Sequence, residues 1–215
     1  GADGVEDAEA VLFVTPSFAV RSTAASLRGR IRDDALIISA AKGIERGSSL
    51  RMSQIIAEEL GGEERLAVLS GPSHAEEVGR GMPTGCVSAS VSSLTAQRVQ
   101  DMLMSRSFRI YTSSDVIGVE LCGALKNVIA LCAGVCAGLG YGDNTAAMLM
   151  TRGLNEMANL CAALGGRKET SAGLAGVGDL IVTCTSRHSR NRTAGTYIGQ
   201  GMTVEEACKK VGATV

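Results

Sequence analysis

The longest apolar stretch of the chain, residues 116–139, constrains the fold more than any other segment. It reads VIGVELCGALKNVIALCAGVCAGL, with apolar or small residues on nearly every face of a helix drawn through it. We therefore expect a helix that is buried on all sides. At about 3.6 residues per turn, its single lysine, Lys126, shares a face with Cys122, Gly123, Ile129, Ala130 and Ala133.

Lys126 has no carboxylate three or four residues away with which to pair. An unpaired buried ammonium is costly, so this lysine either opens into a cleft or has a pKa low enough for its proton to be labile. Both possibilities point to chemistry. The alternative is a lysine whose stem passes along the small residues and whose amine reaches water.

Composition excludes several classes of protein. The 215 residues carry a net charge of −1, with both signs spread along the chain, so we expect no nucleic-acid partner. The longest uncharged apolar run, residues 128–139, is too short to span a bilayer. Seven cysteines is an odd number, and several lie in apolar runs, which indicates buried, reduced thiols in a cytoplasmic protein: Cys122, Cys132, Cys136 and Cys161. The two histidines lie far from these cysteines in the sequence, so we expect no metal site.

The order of the remaining patterns predicts an α/β region followed by an all-α region. We expect strands at residues 11–15, 35–39, 66–70, 85–90 and 108–111, and helices at 17–27, 48–60 and 94–104. Apolar strands that alternate with helices favour a mostly parallel sheet with helices on both faces. Beyond residue 113 only helices are expected, at 116–139 and 145–164 and then after residues 171, 189 and 204. Asp115 is expected to cap the first of these, and Asp143 or Asn144 the second. The boundary divides the chain into domains at 1–113 and 114–215.

Ligands of such a sheet bind beyond the carboxyl ends of the strands. Lys42-Gly43 follows the second predicted strand, and Gly71 and Ser73 follow the third. The lysine can face the crevice while the glycine lets the chain turn, and Gly71 and Ser73 offer an amide and a hydroxyl. Each segment is also an ordinary turn between a strand and a helix.

A second polar cluster lies late in the chain. Asp179 stands among glycines and apolar residues in GVGDL, where it is either a helix cap or a site group. Ser189, Arg190 and Asn191 begin a predicted helix, where free amides and arginines suit a phosphate; the alternative is a solvated basic helix start. His188 has no visible partner and is expected at the surface.

Together these segments resemble bacterial-type NAD(P)-dependent glycerol-3-phosphate dehydrogenase. The resemblance covers almost the whole chain and rests on a set of motifs in order: Lys42-Gly43, LSGPSHAEEV, RSFRIYTSSDVIGVELCGALKNVIA, GLGYGDNTAAMLMTRGLNEM, GVGDLIVTCTS and SRNR. It implies part of a Rossmann-type doubly wound sheet, followed by a helical substrate domain. It also implies hydride transfer between glycerol 3-phosphate and an NAD or NADP cofactor. The expected assembly is a homo-oligomer, a dimer, and the expected role is in phospholipid biosynthesis.

The resemblance also implies a role for each candidate residue. Lys126 would accept the proton of the substrate hydroxyl, and Asp179 would contact the substrate hydroxyls near it, as a catalytic and substrate-binding residue. Lys42 would touch both cofactor and substrate. Gly71 and Ser73 would bind substrate, and Ala75 would line the nicotinamide side. The substrate phosphate would lie at the next three residues, of which the second also reaches the cofactor: Ser189, Arg190 and Asn191.

One family feature is not found in this sequence. Members carry a GxGxxG turn for the cofactor pyrophosphate, and no such turn occurs here. The chain also opens with GADGVEDAEA directly before a predicted strand, so we expect it to be a fragment. Two alternatives stay open: a related hydroxyacid or 6-phosphogluconate-type dehydrogenase, and a non-catalytic fragment that serves as an oligomerisation or structural module.

Overall fold

The computed structural model describes residues 4–212. Within them, the strands are β1 Ala10–Phe13, β2 Leu36–Ser39, β3 Leu66–Ser70, β4 Thr84–Ala89 and β5 Phe108–Ser113. The α-helices of the same residues are α1 Val20–Ser26, α2 Met52–Leu60, α3 Ala75–Val78, α4 Ser93–Leu103, α5 Val116–Gly138, α6 Asp143–Ala163, α7 Asp179–Thr185, α8 Arg190–Gly199 and α9 Val204–Val211. A π-helical turn, Leu174–Gly178, leads directly into α7.

The strands form one sheet in the order β1-β2-β3-β4-β5. The pairings β1–β2, β2–β3 and β4–β5 are parallel, and β3–β4 is antiparallel. The predicted mostly parallel sheet is therefore confirmed. All four residues of β2 are buried, as expected of a strand covered on both faces.

Separate apolar clusters cover the two faces of the sheet. Ile37 of β2 packs with residues of α1 and α2, including Val20 and Ile56. On the other face, Ile38 packs with Val99 of α4. The alternation of side chains along β2 thus places helices on both sides of the sheet, as the sequence predicts. The last strand ends at Ser113 and α5 begins at Val116, next to the predicted boundary at 113/114; the division into two domains stays a prediction.

The helix α5 matches the apolar stretch almost residue for residue. Asp115 caps it by accepting a hydrogen bond from the Gly118 amide at 2.9 Å, as predicted. The expectation of burial on all sides is wrong, because Val128 is 62% exposed and Cys132 is also exposed. The buried thiols predicted at Cys122 and Cys161 are confirmed, whereas that at Cys132 is wrong. By length and composition alone α5 could cross a membrane, but half of it lies buried, and a core helix meets the same criteria.

Two helix starts differ from the predictions. The helix α2 begins at Met52 rather than near residue 48, because Ser49 adopts a left-handed conformation with φ 60° that a helix does not accept. The helix α6 begins at Asp143, and Gly142 is its N-cap, so neither Asp143 nor Asn144 has the predicted capping role.

A buried ion pair ties α5 to the sheet-containing half. Glu120 accepts a hydrogen bond from Arg51 Nη1 at 2.5 Å and another from the Ser53 amide at 2.8 Å. Ser53 Oγ also donates to it. Because Ser53 lies in the first turn of α2, the carboxylate also interacts favourably with the positive end of that helix. The orientation of α5 against α2 is thereby set.

Candidate active site

A cleft of about 580 Å³ opens where the carboxyl ends of β1 and β2 meet α5 and α8. This is the edge of the sheet at which ligands are expected. Its lining residues come from both halves of the chain: Val14, Thr15, Pro16, Ser17, Ala40, Ala41, Lys42, His74, Lys126, Asn127, Thr183, His188, Ser189, Arg190 and Asn191.

Three charged groups meet at the inner side of this cleft. Asp179, the first residue of α7, is 1% exposed and forms ion pairs with two lysines. Its Oδ2 accepts from Lys42 Nζ at 2.6 Å, and its Oδ1 accepts from Lys126 Nζ. The sequence separates Asp179 from these lysines by long stretches of chain, so their proximity is a tertiary feature. We refer to Lys42, Lys126 and Asp179 as the lysine–aspartate cluster.

Lys126 is 5% exposed, and its amine is held by more than the carboxylate. It donates to Thr183 Oγ1 at 2.7 Å, and Thr183 Oγ1 donates in turn to the backbone oxygen of Asp179 at 2.6 Å. Thr183 lies one helical turn after Asp179, so its side chain shares that face of α7. Sequence analysis missed Thr183, although the four-residue spacing from Asp179 was available as a signal.

Within the lysine–aspartate cluster, the pKa of Lys126 is lowered to about 8. Burial is the largest cause, and repulsion by the Lys42 ammonium is the next; attraction to Asp179 opposes both. This lowered pKa favours the labile-proton alternative of the sequence analysis, and the catalytic role of Lys126 stays a prediction. An amine with this pKa can both take up and release a proton near neutral pH.

The Lys42-Gly43 turn places the first of these lysines. Gly43 has φ 151°, and a Cβ there would lie 2.6 Å from Ser17 Cβ, so a larger residue does not fit. Lys42 Nζ also approaches the backbone oxygen of Gly71 at 3.4 Å. Gly71 therefore touches the lysine–aspartate cluster through its carbonyl group.

Of the other residues predicted after β3, Ser73 donates through Oγ to the same Gly71 oxygen at 3.1 Å. Ala75 is exposed at the start of α3. Neither Ser73 nor Ala75 lines the cleft, whereas His74 between them does. The binding roles of Gly71, Ser73 and Ala75 stay predictions.

The start of α8 forms the opposite side of the cleft. Ser189 is buried and caps the helix, accepting a hydrogen bond from the Arg192 amide at 3.3 Å. Arg190 and Asn191 follow in the first turn, where amides have no partner within the helix. Amides, a guanidinium and a side-chain amide at a helix N-terminus can bind an anion. The structure thus places the three predicted residues on the same cleft as Lys126.

Three further polar residues line the cleft, of which sequence analysis missed Thr15 and His74 and expected His188 only at the surface. Thr15 Oγ1 and His74 Nε2 are buried and have no hydrogen-bond partner among residues 4–212. His188 is exposed, as predicted, but it also lines the cleft. A lone threonine or histidine beside a turn carries no signal that distinguishes it from surface, so the sequence could not select these residues.

Among residues 4–212, no three metal-ligating side chains of the His, Cys, Asp or Glu type come together. Cys122 and Cys161 lie close, with their sulfur atoms 3.8 Å apart in the helical core. The hydrogen bond with the neighbouring Cys161 sulfur, and then burial, raise the pKa of Cys122, so it stays a protonated thiol at neutral pH.

Comparison with known proteins gives one consistent result for both halves of the chain. Residues 2–96 match the family model described as "NAD-dependent glycerol-3-phosphate dehydrogenase N-terminus", and residues 115–215 match the corresponding C-terminus. A protein of Clostridium perfringens named glycerol-3-phosphate dehydrogenase [NAD(P)+] is 55% identical over 213 residues, which cover 99% of this chain and 64% of that protein. A protein of the same name from Desulfitobacterium hafniense is 56% identical, over 98% of this chain and 60% of its own length.

A solved structure is similar over the same range. The crystal structure of glycerol-3-phosphate dehydrogenase from Coxiella burnetii has a TM-score of 0.93 and 40% identity, and the match covers 99% of this chain and 65% of that one. The chain thus spans less than two thirds of the length of each of these relatives.

Proposed function

Because this chain belongs to the NAD-dependent glycerol-3-phosphate dehydrogenase family, we propose that the protein containing it interconverts sn-glycerol 3-phosphate and dihydroxyacetone phosphate with NAD or NADP. The observation that carries this proposal is the arrangement of one cleft. A buried lysine with a lowered pKa lies on its inner side, and an anion-binding helix start lies on the other. A small substrate with a hydroxyl at one end and a phosphate at the other needs both features.

Lys126 is the proposed proton acceptor and donor. In the oxidation, its neutral amine takes the proton of the substrate C2 hydroxyl; in the reduction, its ammonium polarises the ketone oxygen and donates the proton. Asp179 orients the amine and stabilises the ammonium form. Thr183 accepts a second hydrogen bond from the amine, which leaves one direction for the substrate oxygen.

The substrate phosphate is assigned to Ser189, Arg190 and Asn191. A phosphate dianion gains from the amides of the first turn of α8 and from the Arg190 guanidinium. Lys42 lines the cleft and is proposed to contact both substrate and cofactor through its ammonium. Gly71 and Ser73 are further proposed substrate contacts, next to Lys42, since Lys42 and Ser73 both donate to the Gly71 oxygen.

The residues at the carboxyl ends of β1 and β2 fit the nicotinamide end of the cofactor. Thr15 Oγ1 is a buried polar atom without a partner, at the cleft and next to Pro16 and Ser17. Ala40 and Ala41 leave space beside it. When bound, the nicotinamide accepts or donates the hydride at substrate C2. Thr15, Lys42 and Arg190 are the proposed contacts to the cofactor, with Ala75 as a further predicted one.

The localisation, the oligomeric state, the metabolic role and the partners of the protein are proposals as well. We propose a cytoplasmic homodimer that supplies glycerol 3-phosphate for phospholipid synthesis, without nucleic-acid or membrane partners. The exposed apolar residues of α5 and α6, including Val128 and Met148, support an interface in a dimer.

The test is reduction of dihydroxyacetone phosphate, followed by nicotinamide absorbance, in the full-length protein and in its Lys126→Ala variant. We expect turnover in the first and a loss of about 10²–10⁴-fold in the second, with substrate binding retained. Lys209→Ala is the matched control, because Lys209 is exposed on α9 and far in sequence from the cleft. Near-normal turnover of Lys126→Ala would exclude its role. An inactive parent protein would favour a related dehydrogenase or a non-catalytic module.

A further inference from the structure

Two histidines face each other across the mouth of the cleft. The ring centroids of His74 and His188 lie 6.2 Å apart, with the ring planes inclined by 55°. His74 immediately precedes α3 in the sheet-containing half, and His188 lies two residues before α8 in the helical half. The imidazole pair therefore spans the opening between the halves.

His74 is suited to contact a ligand. Its Nε2 is buried and has no hydrogen-bond partner within the described part of the chain, although the residue lines the cleft. Buried polar atoms are nearly always paired, because an unpaired one has lost its hydrogen bonds to water without replacement. A ligand atom in the cleft removes that penalty.

The charged groups that line the cleft beside His74 and His188 favour binding of an anion. The cations lining the same cleft are Lys42, Lys126 and Arg190, and the carboxylate of Asp179 is already shared by both lysines. The remaining charged groups near the histidines in sequence are exposed: Glu76 and Glu77 on α3, and Arg187 before His188.

The position of His188 indicates which anion. It directly precedes Ser189, the N-cap of α8, so it is next to the proposed phosphate site. An imidazole 6.2 Å away, on His74, is within reach of the same tetrahedral group. The oxygens of a phosphoryl group can accept a hydrogen bond from an imidazole N–H of each histidine.

We propose that His74 and His188 form a second wall of the phosphate site, with one imidazole from each half bound to the phosphoryl group held by the start of α8. This assignment rests on the proposed function and adds two residues to it.

The first test uses the fact that the 215-residue chain contains two histidines. Proton NMR of this chain therefore gives one set of imidazole resonances for each, assigned with His74→Gln and His188→Gln. On addition of inorganic phosphate, and then of glycerol 3-phosphate, we expect both sets of imidazole resonances to shift. Glycerol, which lacks the phosphate, is the control and should leave both sets unchanged.

The second test measures affinity by calorimetry. His74→Phe keeps a ring of similar shape without its nitrogens, and we expect the dissociation constant for glycerol 3-phosphate to rise about tenfold or more. His74→Gln, which keeps a donor and an acceptor, should recover part of that loss. In the NMR test, the proposal is overturned if the resonances of either histidine do not shift on addition of phosphate, or if they shift equally on addition of glycerol.

The outcomes separate this proposal from the proposed function. If the full-length protein does not reduce dihydroxyacetone phosphate while both imidazoles respond to inorganic phosphate, the phosphate wall stands and the proposed reaction fails. If the full-length protein reduces dihydroxyacetone phosphate but the resonances of either imidazole do not respond to phosphate, the proposed reaction is supported and the proposed phosphate wall is excluded.

Discussion

Asp179 and Glu120 are buried carboxylates that each join the helical half to the sheet-containing half, yet their partners differ in kind. Asp179 is shared by two ammonium groups in a cleft. Glu120 has one guanidinium, one hydroxyl and one backbone amide, away from the cleft lining.

The difference lies in how completely the charges are balanced. At Glu120 one negative charge meets one positive charge, and its oxygens accept three hydrogen bonds, so little is left for a ligand. At Asp179 two lysines share one carboxylate, so the cleft keeps an excess positive charge. Burial and the repulsion between the two ammonium groups lower the pKa of Lys126 to about 8. A buried ion pair with equal positive and negative charge has a structural role, whereas a buried cluster with an excess charge can bind a ligand or transfer a proton.

The largest expected effect is at the unbalanced cluster. Asp179→Asn keeps the shape of the side chain but leaves Lys42 and Lys126 without a carboxylate. We expect dihydroxyacetone phosphate reduction by the full-length protein to fall by about 10²-fold or more, because the amine loses its orienting partner and its ammonium form is less stable. Glu120→Gln is the control, and its turnover should stay within a few fold of the parent. Equal losses in both variants would remove the distinction between the two carboxylates.

The next effect is on stability and concerns the balanced pair. Glu120→Ala leaves Arg51 and the Ser53 amide without their partner, so the free energy of unfolding should fall by about 3–5 kcal/mol. Urea unfolding of the chain measures it. Glu120→Gln should lose less, since its amide oxygen still accepts from the Ser53 amide. A loss below about 1 kcal/mol for the alanine variant would show that the pair does not hold α5 in place.

A third substitution tests whether α5 depends on these carboxylates alone. A Cβ at Gly195 of α8 would overlap the backbone oxygen of Leu131 on α5. We expect Gly195→Ala to lower the free energy of unfolding by about 1–3 kcal/mol, because two backbones in contact must separate. Gly142→Ala, with open space around its Cβ, is the control and should change stability by less than about 1 kcal/mol. If the two variants behave alike in urea, close packing of α5 on α8 does not contribute.

The smallest expected effect is a change in how kcat depends on pH, which follows from the protonation of Lys126 in the lysine–aspartate cluster. Reduction needs the protonated Lys126 amine, so kcat in that direction should be level below about pH 8 and decline above it. Oxidation needs the neutral amine, so kcat should rise with pH and level off above about pH 8. Asp179→Asn should move both midpoints to lower pH, because the attraction that raises the pKa of Lys126 is lost. Glu120→Gln should leave them in place.

Profiles of kcat in both directions, recorded with cofactor and substrate at saturation, check this prediction. Midpoints near the ordinary lysine value of about 10.4 would mean that burial does not govern the Lys126 amine.

Local patterns predicted the elements well where one signal dominated. The strand Leu66–Ser70 and the helix Arg190–Gly199 with its Ser189 cap lie where the sequence places them. The predicted start of α2 was wrong because residues 48–51 carry no strong signal against a helix. The left-handed backbone conformation of Ser49 excludes these residues from the helix, and local patterns do not predict that conformation. The exposure of Val128 was not predictable, because its neighbours in sequence are as apolar as those of a buried position.

The sequence by itself determined the order of strands and helices, the helical nature of residues 116–138 and the candidate groups Lys42, Lys126 and Asp179. These follow from periodicity, caps and residue types, which act over a few residues. Only the tertiary structure decided that Asp179 pairs with Lys42, 137 residues away, and that His74 faces His188. Such contacts depend on how the halves pack, and the free energy of packing is summed over the whole chain rather than over any local window.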